Sequence, residues 1–151
     1  MSDFMVEELK EVREQDLEQV LPVLYQLSPQ KEEDKNVSQD ELRKILAKII
    51  SDDNYFMYVL EVEGNIVGIG SLLIQLNLSH GGKPYGHIEN VVVDNLNRKN
   101  GTGKKIVAKL IEKAKEKGCY KIVLACEANN IPFYEKSGLN ETGEVEMRLD
   151  F

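Results

Sequence analysis

The sequence predicts an α/β fold: a mixed sheet with helices on both faces, in the element order β-α-α-β-β-β-α-β-α-β. Three observations predict it. Two early stretches place apolar residues at helical spacing. The middle of the chain changes to β-branched and aromatic runs broken by a hairpin signal. Helical and strand-like segments punctuated by glycine then alternate to the end. At 151 residues, residues 1–151 read as a single domain, large enough to bury about two-thirds of the surface its unfolded chain exposes.

Each element has its own signal. Asp16 precedes Leu17, Val20, Leu21, Leu24 and Leu27, an i, i+3, i+4 stripe that predicts a helix with an acidic N-cap. The polar run Ser28–Asn36, SPQKEEDKN, predicts a mobile loop. Ser38 then heads Leu42, Ile45, Leu46, Ile49 and Ile50, with Glu41 placed for a capping box. Tyr55–Val62 and Ile66–Leu76 predict strands joined at Gly64-Asn65, a two-residue hairpin signal. Phe56, Tyr58 and Val62 read as sheet packing. A third strand is expected over His87–Val93, after Gly81-Gly82. Ile106, Leu110 and Ile111 return to helical spacing and stop at Gly118. A strand over Lys121–Cys126 follows, then a short helical stretch over Asn129–Lys136 ending at Gly138. Val145–Leu149 alternates as a final strand.

Charge narrows the function classes. Nineteen basic and 26 acidic side chains give a net charge of −7, against a uniformly basic nucleic-acid binder. The acidity is local: residues 1–40 carry 11 acidic and 4 basic groups, whereas residues 98–121 carry 9 basic and 2 acidic. That basic segment is either a solvated helix face or a local anion site. No run of 18 apolar residues and no signal-peptide pattern is read in the sequence, so neither a membrane span nor export is expected, and a cytoplasmic setting is the expectation. Cys119 and Cys126 cannot build a disulfide framework or a zinc pattern, and no metal is expected.

The most informative stretch runs from Val91-Val92-Val93 through Arg98-Lys99-Asn100-Gly101-Thr102-Gly103-Lys104. A strand enters a polar turn, and two glycines open a lysine-rich helix. Glycine lets backbone approach a ligand, and first-turn amides without intrahelical partners attract phosphate oxygens. Arg98 and Lys104 add charge on either side. A P-loop is excluded because Lys105 stands where its hydroxyl belongs. A dinucleotide fingerprint is excluded because Ile106 replaces its third glycine.

Arg98-x-x-Gly101-x-Gly103 after a valine-rich strand instead resembles the acyl-coenzyme-A loop of the GNAT acetyltransferase superfamily. Asn130-Ile131-Pro132-Phe133-Tyr134 with Lys136-Ser137-Gly138 fits the same pattern downstream. Gly86-His87-Ile88-Glu89 and Gly118-Cys119-Tyr120-Lys121-Ile122, with Asp16–Val20 and Val145-Glu146-Met147, resemble the branch of that superfamily that acetylates glucosamine 6-phosphate in the synthesis of UDP-N-acetylglucosamine. The likeness is strongest over residues 86–138 and weakest over residues 28–60.

The resemblance implies the superfamily's splayed sheet and direct transfer of an acetyl group from acetyl-CoA to an amine. It implies that the Val91 amide holds the thioester carbonyl, that Val91, Val92 and Val93 line the pantetheine arm, and that Arg98, Lys99, Asn100, Gly101, Thr102, Gly103 and Lys104 cradle the pyrophosphate. Asn130, Phe133, Tyr134 and Lys136 complete the acetyl-CoA site, Tyr134 as proton donor to the departing thiolate. Glu89 serves on the base side, directly or through water. Substrate contacts fall to Ser28, Asn77, His80, Glu89, Asn90, Tyr120, Lys121 and Arg148. A homodimer that exchanges its C-terminal strands is implied too. Three positions depart from the branch: Asn90 and Ala125 stand where acids are usual, and Asp150 where an arginine is usual. Arg148, two residues away, shares a strand face with position 150 about 7 Å along.

Plainer readings stand beside these. His87 is expected to bond locally, Cys126 to be a small core residue, and Cys119 to carry no chemistry. Glu89, between apolar neighbours, is expected to face a cleft. Two other functions stay open: acetylation of a polyamine or protein amine, and coenzyme-A binding without catalysis.

Overall fold

The computed structural model describes residues 5–98 and 100–151. One five-stranded sheet runs in the order β1 (Glu7–Glu11), β2 (Tyr55–Val62), β3 (Asn65–Gln75), β4 (Tyr85–Val93), β5 (Ile122–Val123). The first four strands pair antiparallel, and β5 joins β4 in parallel. The helices α1 (Leu17–Leu27) and α2 (Gln39–Ser51) precede β2, while α3 (Thr102–Glu116) and α4 (Ile131–Glu135) flank β5.

Two apolar clusters divide the sheet's faces. Val20, Val23 and Leu46 of α1 and α2 pack on Met57, Val59, Ile69 and Val92. On the opposite face, Ile106, Val107, Leu110 and Ala114 of α3 pack on Tyr58, Leu60, Leu72 and Ile88. Helix α3 lies unusually close because β3 offers glycine beneath it. A Cβ on Gly68 or Gly70 would stand 2.6 or 2.4 Å from Ile106.

The predicted order holds for nine of its ten elements, with several corrections. Ser38 and Glu41 form the reciprocal capping box, each bond 3.2 Å. Asp16 does not cap α1. Its carboxylate turns back to Arg13, accepting from Arg13 Nη2 at 2.9 Å and from the Arg13 backbone amide at 2.8 Å. Burial would push this carboxyl up, but the Arg13 bonds and charge outweigh it and hold it below the usual aspartate range. The segment Ser28–Asn36 is not featureless: Glu32–Asn36 forms a 3₁₀ turn, held by Lys31 N donating to Asp34 at 2.8 Å. The hairpin loop is Glu63-Gly64, both at positive φ (50° and 82°), because Asn65 already pairs with Val62. Strand β5 keeps only two residues of the expected Lys121–Cys126. Cys126 is exposed and so is not a core residue.

The expected last strand does not form within the chain. Residues 139–151 carry no helix or strand, and Val145, Met147, Leu149 and Phe151 are 84%, 93%, 78% and 116% exposed. Their alternation with Glu144, Glu146, Arg148 and Asp150 is that of a strand with one apolar face, but none of the five strands lies beside it.

The basic segment proves to be two things. Lys113 and Lys117 lie over the Phe56 ring at 5.0 and 5.1 Å, Lys109 over Tyr58 at 5.7 Å, and Lys105 pairs with Glu7 at 2.7 Å. These lysines cover the sheet with their stems. Arg98 and Lys104, at the head of α3, do not belong to that face.

Candidate active site

The site begins with a fault in the sheet. Ile69 pairs with Val92 but Ser71 pairs with Glu89, so Gly70 alone on β3 faces two residues of β4, Asn90 and Val91. This is a β-bulge, and Asn90 absorbs it at φ 54°, a left-handed conformation that asparagine tolerates better than most residues. On its other side β4 pairs with β5 only at Gly86↔Ile122 and His87↔Val123, so the bulged part of β4 beyond His87 has no β5 partner. The gap starts beside Val91, in the strand residues whose backbone the sequence expects along the pantetheine arm.

One end of the gap is the head of α3. Asp94 ends the strand, accepting from Gln26 Nε2 at 2.7 Å, from Asn97 Nδ2 at 3.0 Å and from the Leu96 amide at 3.2 Å. Gln26 above all holds this carboxyl below the usual aspartate range. Arg98 is anchored by Nε donating to the Val93 carbonyl at 3.3 Å. Gly101 then takes φ 76° as the N-cap residue, and the Thr102, Gly103 and Lys104 amides start the helix without intrahelical acceptors. Gly103 allows a close approach: a Cβ there would stand 3.0 Å from Phe133 Cζ. The amides, the helix dipole, Arg98 and exposed Lys104 form a cradle fitted to phosphate oxygens. Lys99 lies outside the described residues.

The other wall is α4. Asn130 precedes its first turn, and Phe133 meets Tyr134 edge-to-face at 4.9 Å. Tyr134 is half-buried against the α3 cluster. Burial first, and the Cys126 thiol nearby, push its phenol above the usual tyrosine range. It therefore holds its proton at neutral pH and can give it to a developing thiolate. Lys136 is exposed just past the helix.

The acceptor side lies on the face of α1 and α2. In β4, residues alternate, so Glu89 shares a face with Ser71, His87 and Tyr85, where the sheet emerges from under the helices. Glu89 is exposed there, as expected of an acid facing a cleft. His87 bonds locally, Nε2 to Gln75 Oε1 at 2.9 Å. Beyond it an aromatic and cationic cluster forms. His80 stacks on Tyr120 with centroids 4.0 Å apart, and Lys121 Nζ sits 4.8 Å over Tyr85 and 5.4 Å over Tyr120. The Tyr120 amide donates to the Pro84 carbonyl at 3.0 Å and Gly86 donates to Lys121 at 3.0 Å, which docks this cluster beside β4. Asn77 lies in the adjoining loop, bonded to Ser79 at 2.9 Å.

Two expected contacts are not part of this group. Ser28 ends α1, its amide on Leu24 at 3.0 Å. Arg148 lies in the exposed C-terminal segment, paired with Asp150 at 2.6 Å. Sequence reasoning missed Tyr85, Gln75 and the bulge itself. The glycine at 70, inside an apolar strand, was the available signal. Among the described residues no three His, Cys, Asp or Glu side chains are grouped to hold a metal ion.

Comparisons with known proteins bear on the family and the fold. Residues 17–139 match the model of the acetyltransferase (GNAT) family. A glucosamine 6-phosphate N-acetyltransferase of Trypanosoma brucei brucei is 37% identical over 155 residues, covering 99% of either chain. The crystal structure of a Trypanosoma brucei acetyltransferase superposes with a TM-score of 0.86 at 36% identity, covering 97% of this chain and 100% of that one. That of glucosamine-6-phosphate N-acetyltransferase from Arabidopsis thaliana gives 0.88 at 30% identity, covering 97% and 99%.

Proposed function

This chain belongs to the GNAT acetyltransferase family, and we propose that it transfers the acetyl group of acetyl-CoA to the 2-amino group of D-glucosamine 6-phosphate, forming N-acetyl-D-glucosamine 6-phosphate and CoA. The observation that carries the reading is the gap between β4 and β5, with an anion cradle at one end and a protonated Tyr134 in its wall. The acceptor follows from the relative that matches 99% of the chain.

Acetyl-CoA supplies an acetyl group activated as a thioester. The first-turn amides of α3, with Arg98, Lys99, Asn100, Lys104 and Lys136, hold its phosphates, and Val91, Val92, Val93, Asn130 and Phe133 hold the rest. The Val91 amide donates to the carbonyl oxygen as negative charge develops there. Glu89 takes the proton that the attacking amine must lose, and Tyr134 protonates the sulfur that leaves. Lys121, set among Tyr85 and Tyr120, provides a fixed positive charge for the sugar phosphate. His80, Asn77, Asn90 and Tyr120 shape the sugar site.

The active form in this reading is a homodimer. The exposed alternation of Val145, Met147, Leu149 and Phe151 suits a strand whose sheet lies in a second copy, and the exchange brings Arg148 to the partner's phosphate site. A cytoplasmic setting accords with two free cysteines, Cys119 and Cys126.

The test is free-thiol release from acetyl-CoA with glucosamine 6-phosphate, glucosamine or spermidine as acceptor. Release with the phosphorylated sugar alone is the expected result. Release only with spermidine or glucosamine would keep the family chemistry and overturn the acceptor.

A further inference from the structure

A single buried side-chain polar atom among the described residues lacks a hydrogen-bond partner: Ser71 Oγ. Ser71 is 0% exposed. A hydroxyl sealed from water without a partner is destabilising, so its presence in an apolar sheet calls for a use.

Its place in the sheet indicates one. On β3 Ser71 stands between Ile69 and Leu73, pairing with Met57 on one side and with Glu89 on the other. Directly opposed residues of an antiparallel pair point to the same face with Cβ atoms about 4.5–5.5 Å apart, within reach of a serine hydroxyl for a glutamate carboxylate. The bulge begins at the next residue of β4, so Glu89 is the last position on that strand before register is lost. Its other same-face neighbour along β4, His87, is already engaged with Gln75. Ser71 thus presents a hydroxyl with a hydrogen to give directly opposite Glu89.

We infer that Ser71 is a positioning residue for Glu89: in the loaded enzyme its hydroxyl donates to the Glu89 carboxylate and fixes it toward the acceptor amine. The inference rests on the assignment of Glu89 to the base side. Ser71 touches neither the acetyl donor nor the acceptor.

The experiment compares Ser71→Ala, Glu89→Gln and the double variant by thermal unfolding and by steady-state kinetics. Removing an unpartnered buried hydroxyl leaves stability unchanged or raised, so Ser71→Ala is expected to keep its Tm and its KM for acetyl-CoA. Its kcat is expected to fall about tenfold, as loss of one hydrogen bond to a charged group predicts. In the Glu89→Gln background the same change is expected to have no further effect. A fall of Tm together with kcat would make Ser71 merely structural and overturn the inference. So would a wild-type kcat in Ser71→Ala with an impaired Glu89→Gln, which leaves the base assignment standing. A wild-type kcat in Glu89→Gln would remove the base assignment, and the role of Ser71 with it.

Discussion

Tyr134 and Tyr58 show how one residue type serves two purposes. Both phenols are pushed up first by burial, but Tyr134 borders the gap whereas Tyr58, 3% exposed, faces the underside of α3. Replacing Tyr134 with Phe removes the proposed proton donor and leaves the packing. The expected result is a loss of about 10²-fold in kcat with acetyl-CoA affinity, measured by calorimetry, nearly unchanged. Tyr58 acts on stability. Its phenol is raised from 10.0 to about 12, so below pH 10 both folded and unfolded chains hold the proton. Between 10 and about 12 only the unfolded chain releases it, and stability falls as pH rises through that window. Urea midpoints measured at pH 9, 10 and 11 are expected to decline more steeply for the native protein than for Tyr58→Phe.

At the scale of the element, the head of α3 depends on two glycines for different reasons. Gly101 occupies φ 76°, where a Cβ costs about 1–2 kcal/mol. Gly103 lies where a Cβ would press on Phe133 at 3.0 Å. Gly101→Ala is expected to turn the first-turn amides and raise KM for acetyl-CoA about tenfold, the worth of one hydrogen bond to a charged group. Gly103→Ala is expected to displace Phe133 and so lower kcat as well, because Tyr134 follows it in α4. Steady-state kinetics at saturating acceptor separates the two patterns. The same glycines were legible in the sequence from their spacing after a valine-rich strand. The partition of the lysines was not. Nine basic groups over residues 98–121 look alike until β2 places aromatic rings under three of them.

For the whole molecule, the decisive feature is a C-terminal segment with an apolar face and no sheet of its own. Deleting residues 144–151 is expected to leave the body folded, since none of those residues belongs to either apolar cluster. The truncated chain is expected to run as a monomer in light scattering and to lose acetylation of glucosamine 6-phosphate. A truncated dimer with full activity would remove both the strand exchange and the role of Arg148. The alternation was legible in the sequence, but the strand it predicted is absent from the fold, because alternation specifies which face would be buried and says nothing of which sheet would bury it.

The sequence by itself determined the order of nine of the ten expected elements, the glycine-opened α3, the capping box at Ser38 and the presence of an acid, Glu89, in an apolar strand. These depend on periodicity, backbone conformation and local hydrogen bonds, which act over a few residues. Only the tertiary structure decided where β4 breaks register, that Cys126 leaves the core when β5 stops after two residues, and that Ser71 lies unpartnered beneath Glu89. Each of these depends on which strands are neighbours, and pairing between residues far apart in the chain is set by the packing of α1, α2 and α3 on the two faces of the sheet rather than by any local signal.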